Sequence, residues 1–207
     1  MLSGWARSGK DAAAALLEEE FEFTRVAFAD ALKRDVAART ELPLSDFTTA
    51  AKDAPLRGAC PAFPEAKVPR DILLTHALRI RSTNPNFYSE LVADIIRVDP
   101  GDRWVVSDWR YRAEYETLRS LIPEVRIVRI RIERPGVVAS SDPSEHDLDD
   151  APMDYIIHNS GTISDLRTML RLCIHTMRSI HESSSAHIHP ASLAAPNDQT
   201  SGPVQIQ

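Results

Sequence analysis

The chain is poor in the residues that mark several protein classes. Its two cysteines, Cys60 and Cys173, form no metal-binding or redox spacing, so a reducing compartment, the cytoplasm, is expected. No apolar run approaches the roughly 18 residues that suggest a membrane span. No charged-then-apolar leader with a small-residue cleavage site is visible. Basic residues are outnumbered, 24 Lys and Arg against 30 Asp and Glu, for a net charge of -6. That balance argues against stable nucleic-acid binding, while a small anion can still be held by a few converging Arg and Lys side chains. Glycine is also scarce, with seven in 207 residues.

Two of those glycines stand at positions 4 and 9. The stretch Gly4-Trp5-Ala6-Arg7-Ser8-Gly9-Lys10-Asp11 fits the pattern GxxxxGK and runs directly into the helix-forming segment Ala12-Ala13-Ala14-Ala15-Leu16-Leu17. Glycines let such a loop curl until successive backbone N–H groups face a polyphosphate. The following helix N-terminus adds partial positive charge, and Lys10 can reach the β- and γ-phosphates. The pattern therefore points to a nucleoside triphosphate, with Gly4, Ala6, Arg7, Ser8, Gly9, Lys10, Asp11 and Ala12 as ATP-binding candidates. Asp11 occupies the position where a magnesium-ligating Ser or Thr is usual.

Downstream, strand and helix patterns alternate. Residues 24–28 read as a strand, 30–39 as a helix, and 40–68, with Pro43, Pro55, Gly58, Pro61 and Pro64, as an irregular excursion suited to a substrate loop. Residues 70–81 and 87–97 carry helical spacing, 103–107 form a buried type of strand, and 111–121 are helical. Residues 125–132 alternate as a strand, with Arg129 and Arg131 expected on its solvent face. A last strand is expected over 154–157, then a helix from Thr162 as N-cap to about residue 181. Alternation of this kind implies an α/β fold with a mostly parallel sheet flanked by helices and ligands at the C-terminal ends of the strands. Residues 183–207, rich in Ser, Ala, Pro, Asn and Gln, read as a disordered tail on a domain spanning 1–182. His181, His187 and His189 carry no metal-binding pattern.

A second constellation lies in Trp104-Val105-Val106-Ser107-Asp108-Trp109-Arg110, an apolar strand ending in an acid with an arginine two residues on. Beside a phosphate loop, Asp108 could position magnesium or accept a proton, and Arg110 could grip a phosphate with both ends of its guanidinium.

Taken together, residues 2–180 resemble the deoxynucleoside monophosphate kinases of phages and large viruses. The loop Ser3-Gly4-Trp5-Ala6-Arg7-Ser8-Gly9-Lys10-Asp11 is similar to that family's version, in which Asp follows the lysine. Phe28-Ala29-Asp30-Ala31-Leu32-Lys33 resembles its FAxxLK segment, and Pro69-Arg70-Asp71-Ile72-Leu73 its PRxxL helix. Asp108-Trp109-Arg110-Tyr111-Arg112-Ala113-Glu114 is similar to its DxRxxxE signature. Pro143-Ser144-Glu145 and Asn159-Ser160-Gly161-Thr162 resemble its SE and NxGT elements.

The resemblance implies a three-layer P-loop NTPase fold and transfer of a phosphoryl group from ATP, with Mg2+, to a deoxynucleoside monophosphate. Lys10, Asp108 and Arg110 would be catalytic, Asp11 and Asp108 would organise the metal, and Lys33, Arg70 and Arg110 would hold the acceptor. Asn159 and Gly161 would meet the adenine edge. The compartment would be the cytoplasm, the host's if the source is viral. The loop, strand and C-terminal elements also resemble animal-type phosphomevalonate kinase, and a nucleotide-binding protein without catalysis is a further alternative. Oligomeric state, a homodimer included, is not readable from the sequence. Three departures stand out: only Met1-Leu2-Ser3 precedes the loop, Ala12 replaces the family's Thr, and residues 135–150 contain no Lys or Arg. Arg134 is the nearest basic residue to that segment.

Overall fold

The computed structural model describes residues 1–48, 50–101, 103–185 and 204–206. The order of elements is β1 (Leu2–Ser3), α1 (Lys10–Phe21), β2 (Phe23–Val26), α2 (Phe28–Thr40), a 3-10 turn (Leu44–Phe47), α3 (Pro69–Thr83), α4 (Phe87–Val98), β3 (Arg103–Val106), α5 (Arg112–Leu121), β4 (Ile130–Glu133), a second 3-10 turn (Pro143–Glu145), β5 (Tyr155–His158), α6 (Ile163–Ser185) and β6 (Val204–Ile206). The fold is α/β, as the alternating pattern implies.

Every strand pair is parallel. One sheet runs β1-β4-β5-β6 and a second pairs β2 with β3. A hydrogen bond from the Trp109 N–H to the Leu2 carbonyl, 3.1 Å, ties the end of β3 to β1, so β1 lies between β3 on one side and β4 on the other. After β1 the chain goes out to β2 at the edge, returns to β3 beside β1, and then crosses to β4 and β5. The loop leaving β1 thus emerges where the winding reverses, the place where open α/β sheets receive ligands.

Helices flank the strands through two apolar clusters. Leu16 and Leu17 of α1 and Leu166, Leu170, Cys173 and Ile174 of α6 pack on Leu2, Ile130, Ile132, Tyr155 and Ile157. Val92, Ala93 and Ile96 of α4, with Leu118 of α5 and Phe28 of α2, pack on Val26 and Val106. At the N-terminal end of β1, an apolar cavity of about 400 Å3 lies among Leu17, Ile96, Trp104, Leu118, Val128 and Ile174, in line with the short strand.

The excursion over 41–68 is irregular but anchored. Phe47, Cys60 and Phe63 form a small core with Val36 of α2 and Ile72 and Leu73 of α3. Beneath it the buried His76 Nε2 lies 2.7 Å from Asp35 Oδ2. Burial alone would raise the Asp35 pKa, but its bonds to His76 and Arg39 hold the carboxyl below its ordinary value.

Three segments differ from the sequence reading. The strand expected over 125–132 is regular only from Ile130, because β1 offers it a partner only at Leu2 and Ser3. Arg131 is buried rather than solvent-facing, since the 140–150 segment folds across that face of β4: its guanidinium donates to the Leu148 carbonyl at 2.9 Å and to Asp149 at 3.1 Å. Of the stretch read as a disordered tail, 183–185 continue α6 and Val204–Ile206 pair with β5, while 186–203 and residue 207 lie outside the described residues. His187 and His189 lie in that undescribed stretch. No helix among the described residues is long and apolar enough to cross a membrane.

Candidate functional site

The turn from β1 into α1 is a loop with three residues in the left-handed region: Gly4 at φ 135°, Arg7 at 68° and Gly9 at 107°. Two of these must be glycine for steric as well as torsional reasons. A Cβ on Gly4 would come within 2.2 Å of the Ile132 carbonyl oxygen, and one on Gly9 within 2.4 Å of Asn159 Nδ2. The loop is therefore pressed against the ends of β4 and β5. Asn159 Nδ2 donates to the Ser8 carbonyl at 2.9 Å, and the Ser8 hydroxyl, buried beside Gly4, has no hydrogen-bond partner among the described residues. Arg7 adopts its positive φ without glycine's freedom, a local strain of the sort that collects at ligand-binding loops.

Lys10 opens α1 and folds back over this loop. Its Nζ donates to the carbonyls of Gly4 at 2.6 Å and Trp5 at 2.9 Å. Burial lowers the Lys10 pKa most and the charge of Arg110 lowers it further, while Asp11, Glu145 and Asp108 act in the opposite sense. Lys10, Arg110 and the loop therefore share one electrostatic neighbourhood. An anion placed there would restore the lysine's preference for its charged form.

Asp108 follows β3, and its carboxylate turns to the start of α2. Oδ1 accepts the Phe28 N–H at 2.9 Å and Oδ2 the Ala29 N–H at 2.8 Å. Burial raises its pKa, those two N–H groups work against the rise, and Asp30 adds to it. Each oxygen thus accepts one N–H at the start of α2. Asp11 lies elsewhere, its side chain 90% exposed and 3.8 Å from Arg25. Among the described residues no group of three or more His, Cys, Asp or Glu side chains could hold a metal ion. Asp11 and Asp108 thus have different partners, Arg25 and the start of α2, and the loop, its lysine and the Ser8 hydroxyl suit a polyphosphate.

Arg110 lies beside the loop. Its Nη1 donates to Ser144 Oγ at 3.1 Å and is 3.6 Å from Glu145 Oε1. Glu145 in turn accepts the Ala6 N–H at 3.1 and 3.2 Å. Glu114 Oε2 accepts the N–H groups of Arg110 and Tyr111 at 2.9 and 3.0 Å, fixing the turn that presents Arg110. Burial pushes the Glu114 pKa up to about 7, against the effect of those bonds. Arg81 of α3 stacks over the Tyr111 ring at 4.7 Å.

The remaining candidates are distributed. Lys33 pairs with Asp30 at 2.7 Å in a polar groove that also includes Arg25 and Thr48. Arg70 Nε and Nη2 donate to the two carboxylate oxygens of Asp53, and the Arg70 backbone N–H donates to the Lys52 carbonyl at 2.8 Å, so Arg70 braces the excursion. Gly161 adjoins the start of α6, where Thr162 Oγ1 accepts the Asp165 N–H at 3.3 Å. Ala12 packs against the apolar core. Lys10 and Arg110 both adjoin the loop, and Arg70 pairs with Asp53.

Sequence reasoning missed Arg131 and Asp149. Arg131 lies 5.5 Å from the Trp5 ring centre, and the Trp5 indole donates to Asp149 Oδ1 at 3.3 Å. These contacts pin the 140–150 segment to the loop, and no local sequence signal announces them. No protein-family model matches the chain, and no curated protein is significantly similar to it.

Proposed function

We propose that the protein is a phosphotransferase with a three-layer P-loop fold that moves the γ-phosphoryl group of ATP to a deoxynucleoside monophosphate. What supports this is one coincidence: a GxxxxGK loop curled by three positive-φ residues at the winding reversal of a parallel sheet, with Lys10 on its carbonyls and Arg110 beside it.

In this reading the loop N–H groups and Lys10 bind and orient the donor phosphates. Arg110, steadied through Glu114, neutralises charge on the transferring or accepting phosphate. Catalysis of this kind is positioning and charge compensation rather than covalent chemistry. Magnesium would come with the triphosphate and meet the exposed Asp11 more readily than Asp108, whose oxygens already cap α2.

The test is ADP release from ATP with dGMP, dTMP, dCMP, dAMP and phosphomevalonate as separate acceptors, on the wild type and on Lys10→Ala. Turnover with at least one deoxynucleotide is expected, falling about 10²–10³-fold in the variant. Turnover with phosphomevalonate alone would transfer the assignment to the other resembling family. ATP binding without turnover on any acceptor would leave a nucleotide-binding protein.

A further inference from the structure

Glu145 stands where an incoming anion would stand. Its side chain is 4% exposed, both carboxylate oxygens lie on the Ala6 N–H, Arg110 Nη1 is 3.6 Å away, and its charge acts on Lys10. A loop amide and a guanidinium thus converge on one internal carboxylate. The 3-10 turn Pro143–Glu145 delivers it there, capped by Asp142 Oδ1 accepting the Ser144 N–H at 2.9 Å. The turn's anchorage is separate: Arg131 holds the Leu148 carbonyl and Asp149, and Trp5 also reaches Asp149. Withdrawal of Glu145 therefore leaves the rest of the segment attached.

The contacts Glu145 makes are exchangeable. One loop N–H is shared between two oxygens, the ion pair at 3.6 Å is longer than a charge-assisted hydrogen bond, and the remaining donor, the Ser140 N–H at 3.5 Å, belongs to the same segment. A phosphate brings more charge and three oxygens to the same donors. Resting on the phosphate-loop reading, we infer that Glu145 is a built-in surrogate anion: it keeps the Ala6 N–H and Arg110 occupied until the terminal phosphate of the donor displaces it. The acidic 135–150 segment, which has no Lys or Arg to escort transferring charge, then acts as a gate that competes with substrate for the positive groups.

Competition predicts that removing the charge tightens polyphosphate binding. Inorganic tripolyphosphate, ATP and adenosine would be titrated calorimetrically into the full chain and into Glu145→Gln and Glu145→Ala. Both variants are expected to bind tripolyphosphate and ATP about ten-fold more tightly than the wild type, with adenosine binding unchanged and the gain shrinking as salt is raised. Equal or weaker tripolyphosphate binding by folded variants overturns the inference. Should neither variant fold, the Ala6 amide resonance of the wild type decides: a shift on adding tripolyphosphate supports displacement, and an unmoved resonance overturns it. Tighter tripolyphosphate binding by the variants, with no phosphoryl transfer by the wild type, keeps Glu145 in this role and removes the kinase reading. Transfer by the wild type with no tighter binding does the reverse.

Discussion

The Asp108 carboxylate receives the Phe28 N–H at 2.9 Å, and with Ala29 it caps a helix that begins 80 residues earlier in the chain. The acid at the end of β3 therefore has a structural duty whatever its chemical one. Asp108→Ala should destabilise the protein by about 1–3 kcal/mol through two stranded helix donors. Asp108→Asn keeps an acceptor for one N–H and should recover part of that loss. Denaturant unfolding and turnover measured on both variants separate the duties: Asn restoring stability but not turnover would establish a chemical role as well.

Gly4 and Gly9 both have positive φ, yet they face different neighbours. A Cβ on Gly4 would strike a strand carbonyl that cannot move without disturbing β4, whereas one on Gly9 would strike the Asn159 side chain. Gly4→Ala is expected to cost more than the about 1–3 kcal/mol of backbone strain alone. Gly9→Ala should cost less, with Asn159 swinging away from Ser8. Melting temperatures in the opposite order would refute this account of the loop.

Glu114 supplies a pH dependence whose sign is set by its environment. Its folded pKa of about 7 lies above the ordinary 4.5, so the folded state keeps a proton that the unfolded state releases between those values. The stability from this group is fully present below about pH 4.5 and is lost as pH rises through about 7, amounting to roughly 3 kcal/mol. Asp108, raised mainly by burial, contributes in the same direction. Glu114→Gln should flatten the profile of unfolding free energy between pH 5 and 8. An unaltered slope would show that Glu114 is not the group responsible.

Arg110 and Arg70, alike in the sequence reading, should behave differently. Arg110 touches the Ser144–Glu145 turn beside the loop, while Arg70 is clamped by Asp53. Arg110→Ala should lower kcat/KM for the monophosphate by roughly 10- to 150-fold, the equivalent of about 1.5–3 kcal/mol. Arg70→Ala should alter kcat/KM far less and increase proteolytic cleavage within 41–68. Steady-state kinetics with limited proteolysis compares them, and a larger kinetic effect at Arg70 would return it to the acceptor site.

What could be read from the residues was local. Periodicity over 70–81, 87–97 and 111–121 lies within a few residues of α3, α4 and α5, because helices advertise their buried stripe at fixed spacing. The GxxxxGK stretch likewise marks a loop before a helix. Partners distant in sequence carry no such signature. That Asp108 turns to Phe28, that Arg131 is covered by residues 148–149, and that Phe47 anchors an excursion otherwise marked by Pro and Gly all depend on how separate elements meet. A charge at an alternating strand position is exposed only if nothing is folded over it.

The pairing of β1 with β4 also has a consequence in time. Ser3 meets Ile130 across 127 residues, and Asn159 reaches back 151 residues to Ser8. Contacts this distant form slowly, since a long loop must close before they are rewarded, and synthesis delivers the N-terminal partner first. A nascent chain that ends before Ile130 carries the whole phosphate-loop pattern but neither the strand beside β1 nor the amide that holds Ser8. The loop, synthesised before its partners, is thus among the last elements to acquire its final shape.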